Sequence, residues 1–253
     1  MSQEQINQWS KLYGRQIILE VMAQNGTVKM SLRHEYRKFK WKLFGKAALA
    51  KRCVFMTMVA ACLFDEGAVL ISDSRATKTN NAQYEFSDTL QKIIPIRKNI
   101  ALAYAGDVQI AGDVAREIRL RIIGNDNQKE PQVLASTLPS IARGLYLKHA
   151  IIRRRYSDIY LMMAGVDSLK QIHVYVFKSP LFKPTKIEKG YDVIGSGDIV
   201  KPYLRDRFNE IDKSTNSLKS KADALIVGLE SELQKHDIGF TVGGLFQTIL
   251  ITP

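Results

Sequence analysis

From residue 55 onward, apolar and polar positions fall into short runs that change period along the chain. FMTMVAACLF and GAVLISDS are two apolar runs joined by Asp65-Glu66-Gly67, a turn signal, and together they predict a β-hairpin. QKIIPIRKNIALAYAG holds two more short strands around a polar Arg97-Lys98-Asn99 turn. VQIAGDVAREIRLRII then sets Val108, Ala111, Ala115, Ile118 and Ile122 on one helical face. A second helix is predicted at roughly 132–150, with Pro139 kinking or starting it. Strand patterns return in DIYLMMAGV, QIHVYVF and KGYDVIGSG. Gly195-Ser196-Gly197 closes the last of these and leads into a helix at IVKPYLRDRF. A further amphipathic helix carries Leu218, Ala222, Leu225 and Leu229, and the final strand is FTVGGLFQTILI. Strands, two helices, strands, two helices and a strand predict two sheets between two helical layers, an α+β fold undivided by linker or repeat.

Length and charge divide the chain differently. At 253 residues it can hold one good-sized core plus an appendage. The net charge of +12 suggests nucleic acid or membrane until it is mapped. Residues 1–55 contain 11 Lys/Arg against 3 Asp/Glu, and the remaining residues 26 against 22, so the basicity belongs to the leader. The expected organisation is a basic leader over 1–55 and one domain over 56–253. Within the leader, RHEYRKFKWKLF interleaves basic and aromatic residues, as a nucleic-acid or anionic-membrane patch does. A propeptide, flexible or partly helical, and an upstream stretch included by a mistaken start are the competing readings.

Cys53 and Cys62 make neither a metal site nor a disulfide framework, and a reducing cytoplasm is the default compartment. No apolar run approaches the ~18 residues of a membrane span. Lys51-Arg52 followed by CVFMTMVAAC imitates a lipoprotein-type signal ending at Cys62, but it starts far too late in the chain and would remove half of a strand.

Candidate chemistry is sparse. His34, His149, His173 and His236 share no metal-like spacing, and His173 alternates within a strand as a structural residue does. No phosphate loop and no serine triad is present; GSGD at 195–198 offers only an unspecific anion site at a helix N-terminus. What remains is a hydroxyl, a carboxylate and an amine in the first strands: Thr57, Asp73 and Lys92. A threonine hydroxyl needs a base, and a free α-amino group with pKa ~8 serves if the threonine is the chain terminus. A buried lysine lowers the hydroxyl's pKa, and an aspartate holds the lysine's charge. Spacing alone does not decide whether Thr57 is that nucleophile or an ordinary strand residue.

TMVAACLFDEGAVLISDSRAT, then QKIIPI, IALAYAGD, IGSG before a helix and VGGLFQTILI at the end resemble, in this order, the proteasome β-subunits, HslV and the ancestral-β-type homologue Anbu. KPYLRDRF after GSGD is nearest the Anbu pattern. The resemblance covers about 57–251 and implies the αββα sandwich of the N-terminal-nucleophile (Ntn) hydrolases.

It also implies roles. Counting back sixteen from Asp73, the family spacing, lands on Thr57 as nucleophile; sliding the string by one puts Met56 there, at the expense of an insertion within a paired strand. Arg75 matches the basic residue after the acid, Lys92 the lysine beside the nucleophile, and Ser196 the serine supporting the terminal amine. Ala103 occupies the position whose backbone N–H meets the oxyanion. Ala76, Leu90, Ala101 and Ala105 would line an apolar substrate pocket.

Three departures stand beside the match. The stretch from Asp73 to Lys92 is longer than in the family, with the excess placed in a loop at KTNNAQYE. Gly239 and Val242 replace a polar pair, so that Asp237 or Thr241 would have to substitute. Met56, where self-processing subunits carry glycine, makes Met-Thr an initiator-methionine removal site, so the active chain is expected to begin at Thr57.

The function implied is a threonine peptidase acting on polypeptides. It needs no metal or cofactor, forms a homo-oligomeric ring or helix, and is served by a separate ATPase unfoldase in the cytoplasm. A small-substrate amidase, and an inactive structural subunit whose basic arm binds nucleic acid or a partner, are the alternatives.

Overall fold

The structure is a computed structural model that describes residues 57–80, 83–123, 130–153, 157–214, 217–235 and 242–253. The basic leader and Met56 lie outside the described residues.

The first hairpin forms as its pattern predicts: β1 (Met58–Phe64) and β2 (Gly67–Asp73) pair antiparallel, Phe64 opposite Gly67 and Val59 opposite Ser72. β3 (Ala76–Asn80) and β4 (Gln83–Ser87) follow as a two-stranded ribbon. This ribbon contains the KTNNAQYE segment expected as loop; its polar sequence lacks the apolar alternation that announces a strand. β5 (Ile93–Arg97) and β6 (Ile100–Gly106) turn at Lys98-Asn99. Asp107 then caps α1 (Val108–Ile123), its Oδ1 accepting the N–H groups of Gln109 and Ile110. α2 (Pro131–Arg153) runs through Pro139 without ending there, so the proline is interior rather than initial.

β7 (Ile159–Val166) and β8 (Ile172–Lys178) are joined by a tight turn, and a short β9 (Thr185–Ile187) that the pattern did not announce extends that sheet. β10 (Gly190–Gly195) passes through a 3-10 turn at Ser196–Val200 into α3 (Lys201–Ser214), then α4 (Leu218–Lys235). β11 (Phe246–Ile251) is shorter than predicted, since Val242–Leu245 form no strand.

One sheet has the order β10-β1-β2-β11 and the other β5-β6-β7-β8-β9. Two-sided burial explains why these strands read as nearly continuous apolar runs. In β6, Ala101, Ala103 and Ala105 face the other sheet, where they meet Val59, Ala61 and Leu70. Its alternate residues Ile100, Leu102 and Tyr104 face Val114, Ile118, Leu134 and Leu138 of α1 and α2. β1 repeats the arrangement, with Met58, Ala60, Cys62 and Phe64 turned to α3 and α4. Small residues between the sheets allow close approach, and larger ones fill the wider space under the helices. No described helix is long and apolar enough to cross a membrane.

Candidate active site

Thr57 is the residue just before β1, buried at the end of the sheet. Its carbonyl accepts the N–H of Ser196 at 2.8 Å. Gly195 makes that approach feasible: it has φ +79°, and a Cβ there would fall 1.8 Å from the Thr57 carbonyl oxygen. The GSG turn therefore seats Thr57, and Ser196 touches it through its backbone.

On the other side, Met58 N–H donates to Asp73 Oδ1 at 2.9 Å, tying the residue after Thr57 to the last residue of β2. Lys92 Nζ donates to the same oxygen at 2.8 Å and also to the Arg75 carbonyl. Asp73 Oδ2 accepts the N–H groups of Gly243 at 3.2 Å and Arg75 at 3.3 Å. Both charged side chains are fully inaccessible to solvent. Burial pushes the Lys92 ammonium below its ordinary value, opposed by the charge and hydrogen bond of Asp73. Burial likewise pushes the Asp73 carboxyl up, opposed by Lys92 and by the N–H groups of Met58 and Gly243.

Arg75 acts on this pair through its main chain, while its guanidinium forks onto Asp88 at 2.7 and 2.8 Å. That fork lies against the Val242-Gly243-Gly244 turn: a Cβ on Gly243 would meet the guanidinium at 2.8 Å. Gly244 has φ +75°, and a Cβ there would come within 2.4 Å of Ser74 Oγ. The two glycines are thus explained by contact with the Ser74–Arg75 corner. Asp88, which no sequence pattern singled out, accepts from Ser74 Oγ through its carbonyl at 2.6 Å and completes the corner.

The remaining expected residues separate. Ala105 lies beside Gly195 at the Thr57 end, and Ala101 is in the same inter-sheet layer; Ala76 and Leu90 are half-buried on the adjoining segments. Ala103 sits opposite Ile93 on one side and Met162 on the other. Because Tyr104 N–H goes to the Lys92 carbonyl and successive N–H groups alternate, the Ala103 N–H points to β7. Val242 is 2% exposed and packs with the apolar cluster under α3 and α4, where the resemblance leads one to expect a polar residue. Asp237, Gly239 and Thr241 lie outside the described residues. Among the described residues, no group of three or more His, Cys, Asp or Glu side chains could hold a metal ion.

A family model described as "Proteasome subunit" matches residues 56–231. The chain belongs to the proteasome subunit family. Among solved structures it is similar to Anbu (ancestral beta-subunit) from Yersinia bercovieri, with a TM-score of 0.61 at 14% identity over 78% of this chain and 82% of that one. At that identity the similarity speaks for the fold, an α+β sandwich that among the described residues has two main antiparallel sheets and four helices. No curated protein matches the sequence.

Proposed function

We propose that this proteasome-family chain is a threonine-type peptidase whose active form begins at Thr57. The observation that carries the reading is the fully buried Lys92–Asp73 pair, hydrogen-bonded to the N–H adjoining Thr57. Sequestering an ion pair is unfavourable by several kcal/mol per charge before compensation, so such a pair next to a hydroxyl points to chemistry rather than stability.

In this mechanism, Thr57 Oγ attacks the scissile carbonyl and passes its proton to its own α-amine. The positive field of Lys92 lowers the hydroxyl's pKa, and Asp73 fixes Lys92 in place. The C–N bond breaks as the leaving amine takes the proton, and water then hydrolyses the Thr57 ester. Residues 1–56 must be absent, since a peptide bond at Thr57 N removes the base. A polypeptide substrate, a homo-oligomeric ring or helix, an ATPase unfoldase and a cytoplasmic setting belong to the same reading.

A second reading, an inactive structural subunit, is favoured by two observations: the apolar burial of Val242 and the ladder-bound N–H of Ala103. An epoxyketone, which closes a ring using both Oγ and a free α-amine, separates the two. The peptidase reading expects one label on a chain beginning at Thr57, none on a chain retaining residues 1–56, and none after Thr57→Ala. Absence of label on the Thr57 chain, with intact mass confirming that start, would establish the structural subunit instead.

A further inference from the structure

Gln247 lies in β11, 155 positions from Lys92, and crosses from the sheet that holds Asp73 to the segment entering β5. Its Oε1 accepts the Lys92 N–H at 2.9 Å, and its Nε2 donates to the Leu90 carbonyl at 2.8 Å. The carboxamide thus bridges the two main-chain groups on either side of Gln91, in a segment that belongs to no strand. Only one orientation of the amide satisfies both partners, so the network itself fixes which atom is oxygen. Ser72 Oγ, 3.5 Å from Oε1, flanks the same oxygen.

Three more main-chain groups of Leu90–Lys92 are also held. Leu90 N–H donates to the Ser74 carbonyl at 3.1 Å, Tyr104 OH to the Gln91 carbonyl at 3.2 Å, and Tyr104 N–H to the Lys92 carbonyl at 3.1 Å. Two of the five contacts come from Gln247. A lysine ammonium sits at the end of four flexible carbons, so its place in a buried site depends on where its Cα is anchored. Asp73 secures the far end of that side chain, and Gln247 secures the near end.

We propose that Gln247 is a positioning residue, whose side-chain amide anchors the Lys92 backbone so that the ammonium rests on Asp73 beside Thr57. Its consequence for catalysis rests on the threonine-hydrolase reading, but the anchoring itself does not.

Hydrogen exchange on the full chain, resolved to single amides by mass spectrometry, tests the anchor. Gln247→Met keeps the length of the side chain without the two hydrogen bonds. It is expected to speed exchange at Lys92 N–H about tenfold, the size of one lost hydrogen bond, while the β2 amides of Val69 and Ile71 keep their protection. Gln247→Glu supplies a sharper readout. Below about pH 4.3 its neutral carboxyl can accept from Lys92 and donate to Leu90. Protection at Lys92 should therefore return on acidification, after correction for intrinsic rates, and disappear as the carboxyl ionises against the Leu90 carbonyl.

In the chain beginning at Thr57, Gln247→Met should slow epoxyketone labelling about tenfold at saturation, with the half-saturating concentration unchanged. Parent-like protection at Lys92 in Gln247→Met would overturn the proposal. So would loss of protection shared with Val69 and Ile71, an unmoved labelling rate, or no acid recovery in Gln247→Glu. A parent chain that takes no label defeats the hydrolase reading alone, because the exchange at Lys92 still decides the anchor.

Discussion

Lys92 and Lys221 are both removed from solvent, at 0% and 1% exposure, yet their surroundings treat the charge in opposite ways. Lys92 faces Asp73, which is itself fully inaccessible. Lys221, on α4, donates to Glu66 in the β1–β2 turn and to Asp212 on α3, whose side chains remain 38% and 35% exposed. The Phe64 ring lies 4.8 Å beneath its ammonium, adding a cation–π contact. Burial pushes Lys92 down. For Lys221, burial also acts downward, but its hydrogen bonds to Asp212 and Glu66 prevail and raise it. The difference lies in the partners: carboxylates still touched by water keep their hydration and lend their charge, whereas a fully dry carboxylate must itself be compensated. One lysine is a structural clasp between a turn and two helices. The other belongs to a dry pair in which each charge depends on its partner.

The contrast breaks most readily at Asp73. Asp73→Asn keeps only one acceptor oxygen, sets an NH2 against the N–H donors on the other side and leaves Lys92 buried without its counter-charge, and is expected to lower stability by about 3–5 kcal/mol in urea denaturation. Adding Lys92→Met to that variant should restore the part of the loss that comes from the unpaired charge, while Thr57 labelling is abolished in both. A double variant as unstable as Asp73→Asn alone would show that the pair holds the fold together rather than serving the site.

Lys221→Met is expected to be milder, about 1–2 kcal/mol, because Glu66 and Asp212 can turn to solvent. Thr57 labelling should be unchanged in it. A loss as large as that of Asp73→Asn would erase the distinction between the two lysines.

The smallest expected effect is on pH dependence. The hydrogen bond from Lys221 holds the Glu66 carboxyl below its ordinary 4.5, so its contribution is complete above that pH and is lost as pH falls through the lowered folded value. Lys221, raised above 10.5, contributes fully below that pH and loses its contribution only as pH rises through the raised value. Urea midpoints followed from pH 6 down to pH 3 should therefore fall less steeply in Lys221→Met than in the parent. Equal slopes would remove Glu66 from the clasp.

Much of this was legible before any coordinates. The β1–β2 hairpin followed from two apolar runs around Asp65-Glu66-Gly67, and the α1 face from a 3.6-residue period, because both are written in neighbouring residues. The β3–β4 ribbon was not legible: its strands are polar in sequence and lack the apolar alternation that would mark them. Within the site, Thr57, Asp73 and Lys92 stood out as a hydroxyl, a carboxylate and an amine in the first strands, and the family resemblance implied the sixteen-position spacing of Thr57 and Asp73. Asp88 and Gln247 were not, since neither sits in a pattern and each works on groups brought near by folding. Lys221 passed for one more basic residue on a helix for the same reason.

The chain by itself thus determined most of the strands and helices, the family they compose, and which hydroxyl, carboxylate and amine were worth comparing. These are local matters of periodicity, turn chemistry and short spacing. Tertiary structure alone decided that Asp73 and Lys92 share a dry site with the N–H next to Thr57, and that Gly243 and Gly244 yield to Arg75 and Ser74. It also decided that the Ala103 N–H turns to β7, because the direction of an amide in a sheet depends on which strand lies on each side. Hydrogen bonds between residues more than 150 positions apart leave no period in the sequence, and only packing can make them.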